Sequence, residues 1–141
     1  MKILILIAVT ILAVGCGGKD EPVAVTKPEL EGVPVEELET REFLVYVKGS
    51  AALYQGKSYE LYPNGGLKEV YTYKDGIPWG LMTRWYMNGQ KEAEVNFKIG
   101  QPDGLVVEWH ENGQKKKEVN FKDGKAVEGS EKLWDNKGEP K

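Results

Sequence analysis

The stretch GLMTRWYMNGQKEAEVNFKIGQPD, residues 80–103, decides the fold, because the chain repeats it on either side. Before it stands GKSYELYPNGGLKEVYTYKDGIPW (56–79), after it GLVVEWHENGQKKKEVNFKDGKAVE (104–128), and then a partial GSEKLWDNKG (129–138). The turn glycines Gly65, Gly89 and Gly113 lie 24 residues apart, as do the starting glycines Gly56, Gly80 and Gly104; the last unit slips by one, to Gly129 and Gly138. A fixed period of this length marks tandem copies of a small supersecondary unit that cannot bury its apolar face alone. Function is then a property of a stack rather than of a single pocket.

In YPNG, YMNG and HENG the glycine comes last, and Pro63 stands where a type I turn favours proline. This suits a three-residue hairpin loop closed by a left-handed glycine, with a two-residue Asn-Gly loop as the rival. The longer loop puts Leu81, Thr83 and Trp85 on one face with Ala93, Val95 and Phe97, whereas the shorter sets Trp85 against Glu92. That face continues through Leu105, Val107, Trp109, Val119 and Phe121 and, in the first unit, Tyr59, Leu61, Tyr71 and Tyr73. Glu60, Arg84, Glu92, Glu94, Asn96, Glu108, Glu118 and Asn120 take the other. The expected fold is all-β, an antiparallel meander of tandem β-hairpins with one apolar and one wet face. The second connection, in YKDG, FKIG and FKDG, is a turn whose register the residues leave open.

The recurring G-x-x-x-x-W-Y-x-N-G-Q-x-K-x-E-x-x-F-K-D-G pattern resembles the bacterial variant of the MORN repeat, as found in YwqK-family antitoxins, over residues 56–138. The resemblance implies a β-hairpin repeat domain. The family is not defined by catalytic residues, so it supplies none to this chain.

At the other end, Met1 and Lys2 precede the apolar run Ile3 to Val14, then Gly15 and Cys16. The run fits a secretory h-region and is short of the roughly 20 residues a membrane-spanning helix needs. Cys16 is the only cysteine, which excludes an intrachain disulfide. AVGC resembles a bacterial lipoprotein signal, with Ala13 in place of the usual leucine; this implies cleavage after residue 15, acylation of Cys16 and anchorage to a membrane. Gly17 after the cysteine favours the outer membrane in a cell that has two. Residues 16–41 read as an acidic, proline-containing tether and 42–141 as the repeat domain, with a first strand at Phe43 to Tyr46 and a helical turn over Glu36 to Arg41. Residues 17–41 hold 3 basic against 7 acidic side chains, and 42–141 hold 15 of each, so the domain has no basic excess to attract nucleic acid.

Catalytic chemistry finds little to work with. His110 is the only histidine, no Gly-x-Ser-x-Gly elbow or phosphate-cradling loop occurs, and one cysteine with one histidine makes no metal site. No cofactor and no enzymatic activity are expected. Glu92 with Glu94, or Glu108, Glu111 and Glu118, offer carboxylate pairs of the glycosidase type, but alternate outward among lysines as a solvated face does. Tyr62, Tyr86 and His110 hold one position beside successive turns, two strands apart, and form a row with a spacing of roughly 10 Å. Such a row suits a docking strip for a protein partner, or else each ring covers its own hairpin. The expectation is an envelope lipoprotein whose repeats bind a protein, a toxin included. Alternatives are a structural protein binding cell wall or lipid and, more remotely, a glycan hydrolase.

Overall fold

The computed structural model describes residues 31–141; the signal-like segment, Cys16 and residues 17–30 of the expected tether lie outside the described residues. The strands are β1 (Val33–Pro34), β2 (Leu38–Arg41), β3 (Leu44–Val47), β4 (Gly56–Leu61), β5 (Leu67–Lys74), β6 (Ile77–Pro78), β7 (Gly80–Trp85), β8 (Lys91–Lys98), β9 (Gln101–Trp109), β10 (Lys115–Lys122), β11 (Lys125–Ala126) and β12 (Lys132–Leu133). Strands β4, β5, β7, β8, β9 and β10 follow one another as an antiparallel meander. β1 joins the outer edge of β4 in parallel, β11 and β12 share the far edge of β10, and β2 with β3 makes a separate hairpin. The all-β expectation holds.

The domain starts earlier than residue 42. Val33 and Pro34 pair with Ser58 and Tyr59, a 3-10 turn spans Val35–Glu37, and Leu38 is buried against Val47. The expected helical turn over Glu36 to Arg41 is thus mostly strand. The expected strand at Phe43 also shifts, because Glu42 and Phe43 form the tip of the β2–β3 hairpin and β3 begins at Leu44.

The hairpin loops alternate between two kinds. At the YMNG turn, the Tyr86 amide donates to Gln90 O and the Gly89 amide to Tyr86 O, with Gly89 left-handed at φ 84. That is the expected three-residue loop, and it recurs at Tyr62–Gly66, His110–Gln114 and Asp135–Glu139. At the other end, Lys74↔Ile77, Lys98↔Gln101 and Lys122↔Lys125 enclose two residues each, both with positive φ, which is the type I′ turn that strand twist favours.

The single apolar face does not form. The loop pairs Trp85 with Lys91 as its length requires, but the next pair is Arg84↔Ala93, so Glu92 is an extra residue, a β-bulge. Lys68 and Lys116 are extra in the same way between Glu60↔Glu69 and Leu61↔Leu67, and between Glu108↔Lys117 and Trp109↔Lys115. One added residue moves every later side chain of that strand to the opposite side. Met82, Val95, Val106 and Val119 therefore share one face with Tyr71, Phe97 and Phe121. Leu81, Thr83, Trp85, Leu105, Val107 and Trp109 share the other with Glu94, Asn96, Glu118 and Asn120.

Burial follows the mixed faces. Met82 (5 % exposed), Ala93, Val106 and Val119 are covered on the first face, Thr83 and Val107 on the second, and Ser58 alone is almost wholly enclosed. An aromatic chain from Tyr54 through Tyr73 and Tyr71 to Phe97, with ring centroids 5.8–5.9 Å apart, closes the β4–β5 end. A single-layer sheet of this kind relies on neighbour-to-neighbour contacts more than on a central core.

Candidate functional site

Successive units are stitched together by their turn residues. Tyr62 donates its hydroxyl to Trp85 O (2.7 Å), Tyr86 to Trp109 O (2.8 Å), and His110 Nε2 lies 3.2 Å from Trp134 O. Two of the turn asparagines, Asn88 and Asn112, add a second stitch. Asn88 Oδ1 accepts from the Gln90 amide while its Nδ2 donates to Glu111 O at 2.9 Å, and Asn112 does the same toward Gln114 and Asn136. Burial raises the Tyr86 pKa, with the Glu92 carboxylate adding to it, so the phenol stays a donor. The row of tips at Tyr62, Tyr86 and His110 exists as expected, but its polar atoms are used on the following hairpin rather than held out for a ligand or folded over their own.

The last unit ends this pattern. Asp135 occupies the Tyr86 position, and its Oδ1 accepts from the Lys137 and Glu139 amides of its own turn. Lys137 occupies the asparagine position. Among the described residues neither side chain bonds to another unit.

A depression of about 270 Å³ opens on the Met82 face across β7, β8 and β9. Met82, Ala93, Val95 and Val106 floor it, while Arg84, Tyr86, Glu92, Glu108 and Lys116 rim it. The bulge is what brings Glu92 and Lys116 there, since the register without it would leave the floor lined by other side chains. The ion pairs explain the rim. Glu60 binds Lys68 (2.7 Å) and Glu108 binds Lys116 (3.3 Å), each strand glutamate meeting its own bulge lysine. In the central unit the signs are exchanged, and Arg84 turns instead to Glu69 (2.7 Å), whose hydrogen bond raises the guanidinium pKa. Glu92 is left with no ion pair among the described residues.

The expected carboxylate pairs do not assemble. Glu94 and Glu118 lie on the opposite face, tied to Lys91 (2.5 Å) and Lys115 respectively, and Glu111 sits in a turn. Glu92 and Glu108 share the depression instead, a pairing that alternation alone does not suggest. Among the described residues, no group of three or more His, Cys, Asp or Glu side chains is arranged to hold a metal ion. The depression offers an apolar floor, one carboxylate without an ion pair among the described residues, and cations already engaged.

These features define a tandem β-hairpin repeat protein, its units joined edge to edge by side chains of the turn. Residues 54–75 and 102–123 match the family model of the MORN repeat variant. The matched segments bracket the central unit, which has the same loop, bulge and stitches. No curated protein and no solved structure matches the chain. MORN repeats are often protein- or membrane-binding modules.

Proposed function

We propose that the chain is a cell-envelope lipoprotein, held on the membrane through acylated Cys16, whose repeat array binds another protein in the depression between Met82 and Val106. The observation that carries this reading is the combination there of a 270 Å³ recess with an apolar floor, rim charges of both signs and a Glu92 that has no ion pair among the described residues. An apolar side chain from a partner fills the floor, and a neighbouring lysine or arginine meets Glu92. Anchors of this kind, set in a recess and ringed by polar groups, dominate protein interfaces. The equal numbers of acidic and basic residues over 42–141 fit a protein better than a polyanion.

The resemblance to antitoxin repeats makes the partner a candidate toxin. An exported, anchored chain meets such a toxin as it arrives from outside rather than in its own cytosol. The test is affinity capture of the full-length chain from membranes, comparing wild type with Ala93→Leu, which fills the recess, and Glu92→Lys, which reverses its open charge. Wild type should retain a specific protein that both variants lose while melting as before. Equal capture by all three chains would overturn the assignment of the depression. Cys16→Ser should release the chain from the membrane fraction, and continued sedimentation with membranes would contradict the lipid anchor.

A further inference from the structure

The β2–β3 hairpin turns through Glu42 (φ 48) and Phe43 (φ 70). The three sister turns place Asp75, Ile99 and Asp123 at the first position and Gly76, Gly100 and Gly124 at the second. Phe43 thus stands in glycine's place, in a backbone region that an aromatic residue enters only at a cost. Its side chain is also 96 % exposed. Stability of the fold accounts for neither fact. A strained, bare aromatic on a projecting tip has the character of an interface anchor.

We propose that Phe43 of one copy seats in the Met82–Val106 depression of a second copy, so that the chain self-associates. This rests on the reading of the depression as a protein-binding site and names its occupant. Size agrees, since a cavity of about 150 Å³ suffices for benzene and the recess has about 270 Å³, leaving room for the flanking backbone. Charge can be met by exchange. Arg41 and Glu42 precede the ring. Arg41 is engaged with Glu39 and Ser50 O, and Lys116 on the rim with Glu108, but these are exposed pairs worth little, so docking can trade them for Glu92 and Glu42, neither of which has an ion pair among the described residues. Knob and recess lie on different parts of the molecule, so two copies either exchange knobs across a two-fold axis, which closes a dimer, or join head to tail and grow until a ring closes.

Sedimentation velocity on the full-length protein over a concentration series tests this. Wild type should grow with concentration. Phe43→Gly, which removes the knob, and Ala93→Leu, which fills the recess, should each weaken self-association at least tenfold without lowering the melting temperature. Mixed together they should pair, because one retains the recess and the other the knob. A wild type that stays monomeric, a Phe43→Gly protein that associates like wild type, or a mixture no larger than its components overturns the inference. A protein that fails these tests but still loses its captured partner on Ala93→Leu refutes self-association alone. Failure of both experiments removes the depression as a binding site.

Discussion

Removing the Tyr86 hydroxyl isolates one stitch of the array. Tyr86→Phe deletes a 2.8 Å hydrogen bond to Trp109 O and leaves the ring, the loop and the wall of the depression in place. A neutral hydrogen bond of this kind contributes about 1 kcal/mol net. For a domain of this size, 1 kcal/mol corresponds to a fall in melting temperature of about 4–8 °C. Tyr62→Phe removes the equivalent 2.7 Å bond to Trp85 O, one junction earlier. The two junctions lie two strands apart, about 10 Å, and share no partner, so the effects should add to about 2 kcal/mol in the double variant. Urea unfolding followed by circular dichroism measures all three, and affinity capture on the same samples should be unchanged. Variants that melt with wild type while losing partner capture would refute this reasoning and restore the row of rings as the docking strip.

Other positions carry separate expectations. Phe43→Gly should stabilise the fold by about 0.5–1 kcal/mol in urea titration, since relief of the left-handed strain exceeds the added chain entropy of glycine; a loss of more than about 1 kcal/mol would show that the ring packs on the hairpin. Gly76→Ala should cost at least twice as much as Gly129→Ala by the same measurement. Both glycines have φ 72, but the new Cβ at Gly76 lies 2.9 Å from Val45 O and from Leu53 Cδ2, whereas at Gly129 it meets nothing. Asp135 has its pKa lowered by the Glu139 and Lys137 amides that donate to it. A depressed folded pKa means that its contribution is present above the ordinary value of 3.8 and is lost as pH falls through the lower folded value. Asp135→Asn should therefore destabilise the last hairpin at neutral pH, and the difference from wild type should vanish as pH falls through the lowered folded value, read from Trp134 fluorescence.

The repeat and its three-residue turn were legible in the sequence because glycine spacing reports backbone conformation directly, whereas the register of the second turn was not. Gly65, Gly89 and Gly113 mark left-handed loop ends, and the array of antiparallel hairpins follows. The faces were not legible, since a bulge residue has no composition of its own. Lys68, Glu92 and Lys116 look like ordinary outward charges in an alternating strand, yet each inverts the strand beyond it. The depression escaped notice for the same reason. The strands before residue 42 were obscured by prolines and acids typical of linkers, although Pro34 sits on an edge strand where its missing amide costs little. Phe43 looked like a strand residue because aromatics favour strands, and only the backbone shows it at a tip.

The stitches run in one direction, from each turn to the carbonyl of the next hairpin, and residues 80–103 contain both a complete set of donors and the carbonyl that receives the preceding one. A second copy of that segment spliced after residue 103 would present the same hooks and the same eye. The array is therefore a ruler with a graduation of roughly 10 Å, and its reach is set by how many times one short peptide is written rather than by any redesign of its interior.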